Sequence, residues 1–248
     1  MRKTGRCIAI LAALGAASTA VLSANITGIL EQAQSAYNER ANPSRVREAI
    51  VLWQEILQTE PVHYEALWRL AKAHWWLGDH SAEPEQKPIF EKAMEYGQKA
   101  AELYPDGVEG RYWYGVSVGR YVETLGPFNL SKLSLARTVK TEMETVLKLD
   151  PQHAGARHVL SVVYRKVPGK PFAFGSKKKA LKYAEEAVEL DPASLRYRIG
   201  LAEVLIALKR KDKARAALQE VLVMPPHPEY GPESIEEKDR ASKLLQEI

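Results

Sequence analysis

Residues 193–226 read ASLRYRIGLAEVLIALKRKDKARAALQEVLVMPP, and this stretch ends on Pro226, 34 residues after Pro192. It predicts two helices, near 193–208 and 211–223, because small residues recur where two helix backbones must approach and a proline ends the second helix. The residues at these contact positions are Leu201, Ala202, Ala214 and Leu218. The stretch therefore predicts one helix-turn-helix unit.

The same unit recurs along the chain, before and after Pro61, Pro105 and Pro151. Counting forward from each proline for the first helix and backward for the second gives matching small or apolar residues. On first helices these are Leu70, Ala71, Tyr114, Gly115, Leu160 and Ser161, and on second helices they are Ala49, Ala93, Val139 and Ala180. The pattern predicts eleven helices, near 26–39, 44–59, 63–77, 87–103, 107–123, 129–149, 153–166, 176–190, 193–208, 211–223 and 234–247. The last helix is predicted to cap the open apolar end.

Three of the units are longer than 34 residues, with inserts near 78–88, 125–130 and 167–175. Equivalent turns of stacked repeats lie on one side of the array, so the inserts are expected at one edge. The insert edge comprises Gly126, Pro127, Phe128, Pro168, Phe172, Phe174 and Gly175. We expect it either to bind a second partner or another copy of the chain, or to have its rings plug the tips of the helix pairs.

The 34-residue unit and its signature positions resemble the tetratricopeptide (TPR) superfamily over residues 26–226. The resemblance implies an all-α, right-handed α-solenoid of about five helix pairs plus a C-terminal capping helix. The blocks ETLGPFNLSKLSLARTVKTEMETVLKLDP (123–151) and RKVPGKPFAFGSKKKALKYAEEAVELDP (165–192) also resemble the T component of TRAP-transporter-associated proteins, the TatT family. This second resemblance implies a non-catalytic periplasmic protein that works beside a solute-binding protein.

The N-terminus carries Arg2, Lys3 and Arg6, and residues 7–24 are uncharged. This layout predicts a secretory signal peptide over 1–24, with a membrane anchor as the alternative, followed by a solenoid domain over 25–248. The protein is then expected to be periplasmic or secreted, or anchored in an inner membrane by residues 7–24. Cys7 is the single cysteine, so removal of the signal peptide excludes disulfides and thiolate chemistry.

The chain has 248 residues, 46% hydrophobic and 27% charged, which excludes disorder and a polytopic membrane protein. Its formal charge of +4 falls to +1 once the three N-terminal cations are removed, so no nucleic-acid partner is expected. Lys177, Lys178 and Lys179 open a predicted helix, where the helix dipole disfavours cations. They indicate either contact with an acidic partner or a solvated surface.

The resemblance to TPR proteins implies a concave groove lined by positions 2, 5, 9 and 12 of the first helices. These positions hold Trp68, Lys72, Trp75, Tyr112, His158 and Arg165. Such a groove suits an extended peptide, a docked helix or a small amphipathic ligand whose carboxylate meets Lys72 or Arg165. Packing between repeats is the competing interpretation, and it is the one we expect for Trp53, Trp76 and Trp113.

No residue pattern predicts catalysis, a cofactor or a metal site. Gly115-Val116-Ser117-Val118-Gly119 matches a hydrolase motif by letters, but that motif needs a strand-to-helix turn, and these residues lie in a predicted helix. The six histidines lack the spacing of a helical zinc site. The sequence thus predicts a non-catalytic TatT-like interaction module, with a homo-oligomer left open. The alternatives are a general TPR scaffold in bacterial envelope assembly or secretion and, remotely, a hydrolase that uses Ser117.

Overall fold

The computed structural model describes residues 24–248, and this part of the chain folds into eleven helices. They are α1 (24–38), α2 (Pro43–Thr59), α3 (Tyr64–Asp79), α4 (Glu83–Leu103), α5 (Val108–Thr124), α6 (Lys132–Leu149), α7 (Ala154–Lys166), α8 (Lys177–Leu190), α9 (Leu195–Ala207), α10 (Lys211–Val223) and α11 (Glu233–Glu247). Residues 1–23, which hold nearly all of the predicted signal peptide or anchor, lie outside this range. None of the helices in the described range is long and apolar enough to cross a membrane.

The first helices of successive repeats begin at the same distance after their prolines. His63, His153 and Ser194 each follow a proline by two residues, and each side chain accepts a hydrogen bond from a backbone N–H in the first turn. These bonds satisfy donors that a helix start otherwise leaves unpaired. Proline followed by a capping residue therefore sets the register of the repeats.

The small residues of the repeat lie where the helices touch. Ala71 and Ala202 on first helices, and Ala93 and Ala214 on second helices, are completely buried. Gly97 of α4 goes further, since a Cβ atom there would lie 2.7 Å from the Tyr114 Cα of α5. The helices pack at these points around three apolar clusters that follow one another along the array. Trp53, Trp76 and Trp113 are all buried, as their predicted packing roles require, and Trp113 also lines the cavity described below.

The three inserts take different forms. The first is mostly helix extension, because α3 continues to Asp79 and α4 begins at Glu83. The other two are loops, and only one of their phenylalanines plugs a helix tip: Phe174 packs edge-on against Tyr164, with ring centroids 5.9 Å apart. Phe128 and Phe172 are 94% and 83% exposed, so the plugging interpretation is wrong for those two rings.

The last helix does more than cap the array. Its second half buries Ala241 against the α9 and α10 cluster, as the capping prediction requires. Its first half crosses to the other end of the chain, where Glu233 accepts hydrogen bonds from Arg40 at 2.6 Å and from the Trp76 indole at 3.0 Å. The concave face is therefore closed by α11, a feature that the repeat pattern does not predict.

Candidate binding cavity

The concave face, with α11 lying across it, forms a half-open cavity of about 1150 Å³. Five of the six predicted groove residues line it: Lys72, Trp75, Tyr112, His158 and Arg165. They come from α3, α5 and α7, whose equivalent faces point inward because the repeats stack in register. Trp68 is the exception, since it lies outside the lining and packs under the Arg69 guanidinium, 4.6 Å from its ring.

Lys72 is a largely buried cation held between aromatic rings. Its Nζ lies 5.5 Å from the Tyr37 ring centroid and 5.4 Å from that of Trp113. Burial lowers the pKa of Lys72, since desolvation penalises the charged ammonium. Within residues 24–248 no carboxylate forms an ion pair with it; the faces of the two rings lie against it, and Glu109 and Glu229 act on its charge only from beyond ion-pair distance.

The arginines of the cavity wall differ from Lys72 because each has a carboxylate partner. Arg165 donates to Glu203 of α9 at 2.7 Å. The side chain that was predicted to bind a ligand carboxylate therefore already binds a carboxylate of the chain itself. Arg196 donates to Glu237 at 2.7 Å, and Arg40 binds Glu233. Lys72 therefore differs from these arginines in having no carboxylate at ion-pair distance among residues 24–248.

Aromatic rings form much of the remaining wall. The Trp75 and Trp113 centroids are 5.5 Å apart, Tyr112 meets Trp113 edge-on at 5.0 Å, and His158 lies 5.0 Å from Tyr197. Burial, together with nearby arginines, lowers the pKa of His158 to about 3, so its ring is neutral. The interior thus offers large flat surfaces beside the Lys72 ammonium.

The end of the cavity that faces the insert edge combines apolar side chains with the ion pair of Lys166 and Glu123. Valines of α5, α6 and α7 form its wall, and Pro127, Leu130 and Phe172 lie at its mouth. The lining valines are Val116, Val122, Val139, Val159, Val162 and Val163 of these helices and Val167, which follows α7. The cavity therefore runs from the ion pairs beside α11 to an opening between the two insert loops, where valines lie next to the Lys166–Glu123 ion pair.

The lining also includes residues that the sequence analysis did not name. Arg196 and Glu203 occupy positions 2 and 9 of the last repeat, so the repeat register already contained the signal for both. The repeat register could not predict that Glu233 and Glu237 line the cavity, because both residues lie beyond the last repeat. In residues 24–248 no group of three or more His, Cys, Asp or Glu side chains is placed to hold a metal ion.

Comparison with known proteins identifies the family. A family model described as Regulator of microtubule dynamics protein 1-3 (RMD1-3) matches residues 29–248. The chain belongs to this family. Among curated RMD1-3 relatives, Regulator of microtubule dynamics protein 1 of Mus musculus is 25% identical over 188 residues, which cover 68% of this chain and 58% of the relative. The Bos taurus protein of the same name is 26% identical over 139 residues, covering 55% of this chain and 41% of the relative.

The chain thus spans about half the length of the curated RMD1-3 relatives that it matches. Among solved structures, a thermophilic TPR protein of Thermus thermophilus, TTC0263, superposes with a TM-score of 0.68 at 18% identity, covering 89% of this chain and 99% of that one. A MamA protein gives 0.52 at 15% identity, covering 88% and 94%. The predicted all-α TPR fold is confirmed.

The RMD1-3 assignment contradicts one prediction and leaves another without support. The periplasmic or secreted localisation is wrong, because the family is named for microtubule dynamics and the curated relatives come from mammals, which have no periplasm. The TatT resemblance finds no support, and a periplasmic TRAP-transporter role is not shown. The Gly-Pro, Pro-Gly and Pro-Phe pairs behind that resemblance form turns in many helical proteins, so they carry little family information.

Proposed function

We propose that the chain is a non-catalytic protein-interaction module whose cavity holds a short segment of a partner protein. The segment carries an acidic side chain for Lys72, flanked by aromatic or aliphatic side chains for the ring-lined wall. The observation that carries the proposal is the buried, unpaired ammonium of Lys72 between the Tyr37 and Trp113 rings. A carboxylate there gains a charge-assisted hydrogen bond in a desolvated place, where such bonds are strong.

The size of the cavity supports a peptide segment. Pockets for small molecules usually enclose about 300–1,000 Å³, and this cavity, at about 1150 Å³, is slightly larger. The aromatic side chains supply contact area at a low cost in conformational entropy, which is why such residues dominate binding energy at protein interfaces.

The non-catalytic part of the proposal rests on the surroundings of Ser117. This residue lies within α5, fully buried, and its hydroxyl has no hydrogen-bond partner in the described part of the chain. A serine nucleophile needs a base within hydrogen-bonding reach and an exposed oxygen. Ser117 has neither, so we propose a structural role as the small residue of its helix.

A second candidate occupant is a small amphipathic ligand with a carboxylate. The closure of the concave face by α11 favours it, because a long partner segment enters only through an open end. In this arrangement the carboxylate meets Lys72 and the apolar part extends along the valine wall toward the insert loops.

The names of the relatives indicate where the partner is to be sought. They are called regulators of microtubule dynamics, so we propose that the partner segment belongs to a microtubule protein. Sedimentation of the purified chain with assembled microtubules tests this extension. If the parent chain sediments with microtubules and the Lys72→Gln variant does not, the extension is supported. If the parent chain is found in the pellet in the same small amount with and without microtubules, the extension is contradicted.

The cavity itself is tested by selecting peptides from a random library displayed on phage. We expect the selected peptides to carry an acidic residue beside aromatic or aliphatic ones. Lys72→Gln should weaken their binding about tenfold or more, the value of one charge-assisted hydrogen bond. The matched control is Lys92→Gln, which removes an exposed lysine on α4 and should leave the affinity unchanged.

Equal affinity for the Lys72→Gln variant and the parent would overturn the peptide proposal. The second candidate is measured in parallel with a fluorescent medium-chain carboxylic acid. Binding of this probe that depends on Lys72, without any selected peptide, assigns the cavity to an amphipathic small molecule instead of a protein segment.

A further inference from the structure

Three large apolar side chains at the insert edge, those of Phe128, Leu130 and Phe172, are almost fully exposed to solvent. Leu130 is 97% exposed, more than Phe128 or Phe172, and the two loops that carry these residues line the same cavity mouth. A protein surface normally buries side chains of this kind unless they contact something. Two protruding loops thus present an apolar tip on one edge of the molecule.

Positive charge surrounds these loops. Segments 125–132, 166–179 and 209–213 together carry ten Lys or Arg residues and one carboxylate, Asp212. The Lys177 ammonium donates to the Ala207 carbonyl at 2.7 Å, which brings the second and third segments together. The whole chain carries only +4, so removing the nine net charges of these segments leaves the remainder at −5. The chain's excess positive charge therefore lies around the exposed loops.

Several of these cations have no compensation within the described residues. Lys170, Lys178 and Lys211 are exposed and make no hydrogen bond or ion pair with any residue in 24–248. Helix α8 begins with three lysines and has no acidic residue in its first turn, opposite to the arrangement that the helix dipole favours. An external anionic surface would stabilise both the unpaired lysines and the lysines in the first turn of α8.

We propose that the insert edge docks on the surface of a membrane that contains anionic lipids. Phe128, Leu130 and Phe172 enter the interface between the headgroups and the acyl chains, and the lysines around them lie against the headgroups. Exposed apolar residues combined with flanking cations are the pattern by which proteins bind an anionic membrane surface. The proposal concerns the exposed loops at the mouth of the cavity and needs only their exposed side chains and the cations around them, so it does not rest on an occupant of the cavity.

Charge argues against a second copy of the chain as the occupant. A two-fold dimer through this edge places the same patch on both sides of the contact, and here it would oppose ten cations to ten cations. Shape argues against a folded protein partner, because the energetic centres of such interfaces are well-packed pockets. Protruding loop tips fit a fluid lipid interface, which needs no complementary shape.

The test uses the full chain with an environment-sensitive fluorophore on one introduced cysteine. Cys7→Ser removes the native thiol, and Phe128→Cys or Phe172→Cys supplies the labelling site. Val62→Cys is the matched control, because Val62 is 70% exposed and lies in the α2–α3 turn, at the opposite edge from the insert loops. The label reports only on its own surroundings, so attachment of the chain through another part gives no signal.

We expect vesicles of phosphatidylcholine and phosphatidylserine to shift the emission of labels at 128 and 172 to the blue. Labels at 62 should not respond, and pure phosphatidylcholine vesicles should give a much smaller shift. In the unlabelled chain, the triple change Lys170→Gln, Lys178→Gln and Lys211→Gln should weaken binding to the anionic vesicles. The expected loss is roughly fivefold for each lysine near an anionic surface, and about a hundredfold for all three.

The triple change Lys92→Gln, Lys148→Gln and Lys243→Gln is the control for total charge and should lose far less. Silent labels at 128 and 172 on anionic vesicles would overturn the proposal. So would equal losses in the two triple variants. A blue shift that grows with protein concentration and needs no vesicles would assign the edge to self-association instead.

Discussion

His158 shows at the scale of one residue how the cavity wall sets a charge state. Its ring is buried beside Tyr197, with Arg196, Arg240 and Arg165 nearby, and burial with these charges lowers the pKa of His158 to about 3. A histidine in the unfolded chain has a pKa near 6.5. On acidification the unfolded chain therefore takes up a proton before the folded one does, so folding becomes less favourable.

We predict that the free energy of unfolding falls as the pH drops from about 6.5 toward 3. The contribution of His158 is at most about 1.4 kcal/mol for each pH unit. His158→Gln should flatten this part of the profile, although His74 and His153, whose pKa values are also lowered by burial, keep some slope. Urea unfolding across this pH range measures it, and parallel profiles for the parent and the variant would contradict the assignment.

The repeat register allowed five of the residues that line the cavity to be predicted one by one. It placed Lys72, Trp75 and His158 on inward faces because position within a stacked repeat fixes the direction of a side chain. It did not predict that Arg165 forms an ion pair with Glu203, which belongs to another repeat. Charge pairing between repeats depends on distances that spacing along the sequence does not contain.

At the scale of helices, the contact between α4 and α5 depends on Gly97. A Cβ atom at this position would lie 2.7 Å from the Tyr114 Cα and 2.8 Å from its backbone nitrogen, which cannot turn aside as a side chain can. We predict that Gly97→Ala destabilises the fold by about 1–3 kcal/mol through overpacking, despite the better helix propensity of alanine.

Gly119→Ala is the matched control within α5. Its added Cβ would meet only a Val139 methyl group at 4.0 Å, so the change should stabilise the protein by up to about 1 kcal/mol. Thermal unfolding of the two variants measures the difference. The same sign for both would show that the close approach of α4 and α5 does not limit the packing.

Helix starts were harder to predict from the sequence than the helices themselves. We expected α4 near residue 87, but it begins at Glu83 and contains both Pro84 and Pro88. Pro84 is tolerated because it lies in the first turn, where its missing N–H has no helical partner, whereas Pro88 lies inside the helix. We expected α6 at Asn129, but the Asn129 side chain accepts from the Ser131 N–H in a turn, and the helix begins at Lys132.

At the scale of the whole molecule, the pair Arg40 and Glu233 joins the two ends of the array. Both side chains are about 8% exposed, and the bond is bidentate, at 2.6 and 3.0 Å. The guanidinium of Arg40 and the Trp76 indole help hold the pKa of Glu233 below its usual value, against the opposing effect of burial. The stability from this lowered pKa is present above the unfolded pKa and is lost as the pH falls through the folded one.

We predict that Glu233→Gln destabilises the protein by about 3–5 kcal/mol, since it leaves the buried charge of Arg40 without a carboxylate partner. The control is Glu236→Gln, which removes an exposed carboxylate near His80 and should cost under about 1 kcal/mol. Urea unfolding gives both values. The double change Arg40→Met with Glu233→Leu should cost less than Glu233→Gln alone, and a larger cost would contradict the charge argument.

At this scale the sequence predicted the order of the helix pairs but not the bond that joins the two ends of the array. A recurring unit specifies how each repeat meets its neighbours, so spacing was sufficient for the order and stacking of the helix pairs. The residues that close the array are 193 positions apart, and one of them belongs to a helix outside the repeat. No local pattern connects them.

The bond between the ends alters how the chain is expected to fold and unfold. In an open array each repeat depends only on its neighbours, so terminal repeats fray and unfolding spreads inward in steps. Here the first and last repeats restrain each other, so neither end is free to melt first. Loop-closure entropy makes a contact across 193 residues slow to form. Its formation is therefore expected to complete folding and to convert a row of semi-independent units into one cooperative body.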